Sequence, residues 1–206
     1  MAYHRNKLDR GFDTIINVWG ADHHGYIKRI EATIEAMGYS KKQMRVQLVQ
    51  FANLFENGSK VKMSTRSGNF YTLKQLIDDI GPDASRFYYL SKQADQHLDF
   101  DIGIARSNSK DNLYYYIQYA HARISSVEKK FLELNRPLPK KFNDVDFDEC
   151  DELLQMALSA QFVIKSSGES LQPHLIIYYL RDIAQNFHQF YNNVNILNAD
   201  EKHKNN

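Results

Sequence analysis

The spacing of apolar residues changes character along the chain, from mixed strand-like and helix-like runs to helix alone. Residues 13–19 place Ile15, Ile16, Val18 and Trp19 in a short β-branched run that stops at Gly20, which predicts a buried strand. Ile27, Ile30, Ile34 and Met37 then recur on one helical stripe, and Gly38 is placed to end that helix. Over residues 44–49, Met44, Val46 and Leu48 alternate with polar neighbours as a second strand would, although a helix fits the same residues. Strand, helix and strand, with a ligand-type turn after the first, predict a βαβ unit of a parallel sheet.

From Thr72 onward the period is helical. Thr72 is placed to cap a helix running to Gly81, and Pro82 opens the next, which carries Phe87, Tyr88 and Leu90. A polar stretch over residues 93–101 leads into a long helix at about 112–134. Asn135, Pro137 and Pro139 break it, and the acidic residues of 143–148 predict a loop. Two helices follow at about 149–166 and 173–191, the second with Ile176, Leu180, Ile183, Phe187 and Phe190 near one face. Residues 201–206 are polar and expected to fray. The predicted fold is therefore α/β followed by all-α.

An apolar content of 43% over 206 residues suffices for one large domain or two small ones. The net charge of +1 creates no global field, so any nucleic-acid surface must be local. Cys150 is the only cysteine, which excludes an internal disulfide framework and a multi-cysteine zinc site. It makes a reducing, cytoplasmic setting the default. No apolar run approaches the ~20 residues of a membrane span, and the opening residues lack a secretory pattern.

Two segments carry candidate chemistry. A strand ending at Gly20 and a helix beginning near Gly25 leave backbone amides at the sheet edge, where open α/β sheets bind ligands. Asp22 can accept from ribose hydroxyls, and His23 and His24 offer donors. A capped turn with surface histidines accounts for the same residues, and a metal site is a further alternative. The second segment, residues 58–68, sets Lys60, Lys62 and Arg66 among hydroxyls with glycine at each end. Such a segment suits a triphosphate; a solvated basic loop is the plain alternative.

Lys62-Met63-Ser64-Thr65-Arg66 resembles the KMSKS signature of class I aminoacyl-tRNA synthetases, and Gly20-Ala21-Asp22-His23 resembles the Gly-x-Asp-Gln element of the same fold. Residues 19–26, Trp-Gly-Ala-Asp-His-His-Gly-Tyr, are similar to the arginyl-tRNA synthetases in particular. So are Arg66-Ser67-Gly68-Asn69-Phe70, His97-Leu98-Asp99-Phe100-Asp101, Tyr119-Ala120-His121-Ala122-Arg123 and Phe187-His188-Gln189-Phe190-Tyr191. These blocks fall in the family's order.

The resemblance implies a partial class I nucleotide-binding, Rossmann-like fold in residues 1–70. It implies a helical connecting region in 71–108 and a helical anticodon-binding domain in 109–206. The family's reaction is activation of L-arginine by ATP with Mg²⁺, then transfer of arginine to tRNA(Arg). Carried onto the matching positions, Lys62 is the catalytic residue, stabilising charge that develops on the β- and γ-phosphates. Met63 and Ser64 shape the loop around the adenosine, Asp22 and His23 hold the ribose, and Gly20 permits close approach. ATP and Mg²⁺ enter as substrates, no protein-bound metal is expected, and the parent enzyme is expected to be a monomer.

Two departures qualify this. The second signature lysine is Thr65 here, with Arg66, Lys60 or a lysine outside this chain as the available replacement. The His-x-Gly-His element of the class is not matched, and the opening Ala2-Tyr3-His4 resembles the middle of a family segment. A fragment, inactive by itself, is the expectation.

In the long helix, Tyr114, Tyr115, Tyr116 and Tyr119 precede Arg123, Lys129 and Lys130. Aromatic faces stack on splayed RNA bases and cations meet phosphates, so Tyr116, Gln118, Tyr119 and Arg123 are candidate tRNA contacts. Consecutive tyrosines point different ways on a helix, and about half are expected in the core. A tRNA-binding module without catalysis and another ATP-dependent nucleotidyl transferase are the competing readings.

Overall fold

The computed structural model of the chain describes residues 1–61, 71–134 and 150–194. The breaker and acidic loop expected over 135–148, the tail, and most of the cationic segment lie outside those residues.

The first unit opens with α1 (Ala2–Asp9), a short helix that the apolar pattern did not announce. Then come β1 (Ile15–Gly20), α2 (Ile27–Ala36) and β2 (Met44–Val49). The strands pair in parallel, from Ile15 opposite Met44 to Gly20 opposite Val49, so residues 44–49 are strand and not helix. Leu8, Ile15, Ile34 and Met44 are buried together, with Ile30 and Met37 packed on them. The expected burial of β1 holds for one face in this chain. Ile15 and Asn17 face the helices, while Ile16 and Val18 point outward, Val18 being 66% exposed. Continuous β-branched residues thus conceal an alternation that only packing reveals. Gly38 ends α2 as expected: its φ of +86° lets the Tyr39 amide reach the Ile34 carbonyl at 3.2 Å.

The second unit contains β3 (Ala52–Glu56), β4 (Ser59–Lys60), α3 (Leu73–Ile80), α4 (Pro82–Leu90), β5 (Leu98–Asp101) and α5 (Ile102–Arg106). Its sheet has the order β4-β3-β5, with β3 antiparallel to β4 and parallel to β5. Residues on both sides of the expected 70/71 division therefore share one sheet. Leu54, Leu76, Leu98, Phe100 and Ile102 form its core. The polar stretch of 93–101 accordingly ends in a strand, which the sequence reading missed. Leu98 and Phe100 are its buried pair, and a four-residue element is too short to display a period. Thr72 caps α3 as predicted: its hydroxyl accepts from the Gln75 amide at 3.1 Å, and Gln75 Oε1 accepts from the Thr72 amide at 2.8 Å. Pro82 stands in the first turn of α4.

The third unit is helical: α6 (Leu113–Glu133), α7 (Asp151–Ser170) and α8 (His174–Asn193). Asn112 is 3% exposed and caps α6, accepting from the Tyr115 amide at 3.1 Å. Its Nδ2 donates to the carbonyls of Ala105 at 3.0 Å and Ser107 at 2.7 Å, tying α6 to the end of α5. The buried residues of α8 are His174, Ile177, Ala184, Phe187 and His188, so the core stripe differs from the one read in sequence. The cause is that α8 packs against both α6 and α7, and two flanking helices need two stripes. α4 also touches α6 and α8. Arg45 of β2 reaches the third unit directly, its Nη1 donating to the Glu169 carbonyl at 2.9 Å. Among the described residues no helix is long and apolar enough to cross a membrane.

Candidate functional site

Both parallel strands end together, at Gly20 and Val49, and the chain leaves β1 through a 3-10 helix, Ala21–Tyr26, before entering α2. Asp22 folds back over Gly20. A Cβ at position 20 would lie 2.6 Å from Asp22 Oδ1, so a larger residue there would displace the carboxylate. His23 Nε2 stands 3.8 Å from Asp22 Oδ2, with the two side chains 56% and 59% exposed. Gly20, Asp22 and His23 are therefore brought together, and the carboxylate remains open to a ligand. His24 behaves differently, its Nδ1 donating to the Ala21 carbonyl at 3.2 Å. Among the described residues no group of three potential metal ligands converges, so the metal alternative finds no support at this turn. Beside it lies an apolar cleft of about 310 Å³ lined by Trp19, His23, Tyr26 and Ile30.

The cationic segment, whose composition predicts a loop, begins on a hairpin. Asn57 and Gly58, with φ of 51° and 77°, form a two-residue turn between β3 and β4. Positive φ at both positions matches the right-handed twist of the strands, and Asn-Gly is the pair that adopts it most readily. Lys60 lies on β4, opposite Phe55, and the Val61 amide donates to the Leu54 carbonyl at 2.8 Å. Asp101, at the end of β5, receives the Gly58 amide on Oδ2 at 2.8 Å. Its Oδ1 receives the amides of Gly103 at 2.8 Å and Ile104 at 3.2 Å. These amide bonds, that from Gly58 foremost, hold the Asp101 carboxyl below its ordinary range. Lys62, Met63, Ser64 and Arg66 lie outside the described residues.

On α6, the predicted contacts divide by face. Gln118 and Tyr119 are exposed, whereas Tyr116 packs with Ala120, Ala184 and Phe187. Tyr114 leans on Phe87, at 5.5 Å between ring centroids. Tyr119 is stacked on Tyr115 at 6.1 Å with the rings 7° from parallel. The Arg123 guanidinium lies 4.5 Å from the Tyr119 ring centre and 4.8 Å from that of Tyr191. Arg123 Nη1 also donates to His188 Nδ1 at 3.2 Å, while His188 Nε2 donates to the Tyr116 carbonyl at 3.4 Å. That pattern requires a neutral imidazole with its proton on Nε2. Burial first, and the Arg123 charge after it, lower the His188 pKa; the bond to Tyr116 opposes them. His188 and Tyr191 were missed as site residues in the sequence, where the helical period alone does not say which face α6 would meet.

The helical part matches a family model: residues 117–206 match the DALR anticodon binding domain. Similarity to individual proteins runs over nearly the whole chain. Arginine–tRNA ligase of Nitrosomonas europaea is 45% identical over 205 residues, which are 99% of this chain and 35% of that relative. The arginine–tRNA ligase of Listeria monocytogenes serotype 4b is 43% identical, over 97% of this chain and 36% of its own length. A crystal structure of Campylobacter jejuni arginyl-tRNA synthetase superposes with a TM-score of 0.85 at 36% identity, covering 98% of this chain and 44% of that one. Thermus thermophilus arginyl-tRNA synthetase shares the fold, with a TM-score of 0.70 at 17% identity over 94% of this chain and 36% of that one. The resemblance to the arginyl-tRNA synthetases is thereby borne out, and the chain spans about a third of the length of the curated relatives it matches.

Proposed function

We propose that the chain supplies part of an arginine–tRNA ligase, holding ATP at the end of β1 and tRNA on the outer face of α6. The carrying observation is the Asp22 carboxylate, folded on Gly20 yet open to solvent where two parallel strands end. On this reading residues 1–70 contribute to a class I, Rossmann-like nucleotide fold, 71–108 connect, and 109–206 bind the anticodon region. L-arginine reacts with Mg²⁺-bound ATP to give arginyl-adenylate and pyrophosphate, and arginine then passes to tRNA(Arg).

Asp22 accepts from the ribose hydroxyls, His23 donates beside it, and Gly20 lets the substrate approach the backbone. Lys62 stabilises the charge on the departing pyrophosphate, with Met63 and Ser64 against the adenosine. Lys60, Arg66 or a lysine outside this chain supplies the contact that Thr65 cannot. Gln118 and Tyr119 are the contacts offered to RNA; Tyr116 and Arg123, engaged by their neighbours, shape the face Tyr119 presents. A monomeric, cytoplasmic parent belongs to the same reading.

The test is arginine-dependent ATP–pyrophosphate exchange with tRNA present. It compares the chain alone with a chimera in which residues 1–206 replace the matching third of the Nitrosomonas europaea enzyme. Exchange by the chimera and none by the chain alone is the expected result; exchange that ignores arginine would sink the assignment. The DALR match favours a second reading, a tRNA-binding module without catalysis. An inactive chimera that still binds tRNA in a salt-dependent manner would support it.

A further inference from the structure

The block His97 to Asp101 has no role in the scheme above, yet its last residue joins the hairpin to the following helix. We propose that Asp101 is a positioning residue: its carboxylate ties the Asn57–Gly58 turn to the first turn of α5 and so fixes Lys60 and the stem that leads on to Lys62. The catalytic half of this inference rests on the arginine–tRNA ligase reading; the mechanical half does not.

The geometry is specific. One oxygen of Asp101 serves the Gly58 amide and the other serves Gly103 and Ile104, so a single residue holds two elements at once. Gly58 and Asp101 are far apart in sequence but adjacent through the β3–β5 pairing, which sets Phe55 opposite Asp101. Gly103 completes the joint. A Cβ there would come 2.8 Å from Asn57 Oδ1 and 3.1 Å from Asp101 Oδ1, so a larger residue would push the Asn57 side chain aside and crowd the carboxylate. The described residues that resume at Tyr71 are tied to the same sheet. Tyr71 donates to Asp79, and Arg106 joins Asp79 at 2.7 Å to Glu56 of β3 at 3.2 Å. A cation that acts on a transition state must be delivered within a fraction of an ångström, and the joint at Asp101 is one way to hold Lys60 on its strand.

Asp101→Asn tests the idea with little change of shape. Its remaining oxygen can cap α5, but its amide nitrogen would face the Gly58 N–H donor to donor. Gly103→Ala opens the same joint while leaving the Asp101 charge in place, and Asp99→Asn removes a neighbouring charge as the control. In the chain itself, amide exchange at residues 58–61 should speed up about tenfold in the first two variants and stay within about twofold in the third. In the chimera, kcat for pyrophosphate exchange should fall about tenfold or more with KM for arginine within about twofold, since the loss lies in the transition state. Unchanged amide exchange in Asp101→Asn would overturn the inference whatever the activity. So would faster amide exchange with undiminished kcat in an active chimera. An inactive parental chimera would strike the ligase reading instead, and the amide measurement would still decide whether Asp101 holds the hairpin.

Discussion

The Tyr88 hydroxyl donates to Asn112 Oδ1 at 2.8 Å, joining α4 to the residue that caps α6. Every polar atom of the Asn112 side chain is then engaged, since its nitrogen serves the Ala105 and Ser107 carbonyls. Tyr88→Phe removes one bond of this set and should cost about 1 kcal/mol, whereas Asn112→Ala removes the cap and orphans two carbonyls, costing about 3 kcal/mol. Chemical denaturation would measure both. The double variant should cost less than the sum, because the two changes share a bond.

Alkaline pH tests the same tyrosine. Burial pushes the Tyr88 phenol up to about 12 from an ordinary value of 10.0. The folded state therefore keeps the proton longer than the unfolded chain does. This contribution is fully present below pH 10.0 and is lost as pH rises through about 12. Tyr39 and Tyr89 are also raised, so ultraviolet titration should find several late-ionising tyrosines and one fewer in Tyr88→Phe, with a shallower loss of stability over that window.

Acid tests the Arg123–His188 pair. The folded pKa of His188 lies below 6.5, so its contribution is present above that value and lost as pH falls through the depressed one. Arg123→Met keeps an apolar chain between the rings and removes the guanidinium charge. The His188 pKa, followed by imidazole NMR, should rise in that variant but stay below 6.5, because burial is the larger cause. No movement would show that the guanidinium has little influence there.

One substitution type should act with opposite signs at two glycines. Gly168 lies within α7, and a Cβ there meets nothing within 4 Å. Gly168→Ala should stabilise by about 0.5–1 kcal/mol through helix propensity. Gly58 has a φ of +77°, and Gly58→Ala should destabilise by about 1 kcal/mol through strain alone. Paired thermal melts would check the contrast.

If α6 presents Tyr119 to RNA, Tyr119→Ala should weaken tRNA binding by about 1–3 kcal/mol, the range for losing one stacked base. The slope of affinity against salt should change little, because no phosphate contact is lost. Removing Arg123 should act indirectly, since its planar group holds the Tyr119 ring. Binding by both variants at the parental level would place the RNA surface elsewhere.

The sequence made long elements and their ends legible where local chemistry determines them. Thr72 with Gln75, Gly38 after α2 and Pro82 at the start of α4 each act within a turn of their own position. What stayed hidden depends on partners distant in the chain. β5 is strand because Ala52 to Phe55 lies beside it, and β1 has one buried face because α2 covers only that side. The candidate site divides the same way. Gly20, Asp22 and His23 stand on one turn and could be read as a group. Asp101 and His188 act on residues 43 and 65 positions away respectively, and no spacing rule reaches that far.

The bond from Arg45 to Glu169 has a consequence for how substitutions spread through such chains. Its acceptor is a main-chain carbonyl, which any residue at position 169 provides. Replacing Glu169 would remove its exposed pairing with Lys165 at 3.9 Å and leave the link between β2 and α7 in place, so that link requires no compensating change. Arg45 alone carries the identity of the contact. Comparison of paired substitutions across relatives would pass over this junction, although it joins the strands to the helices.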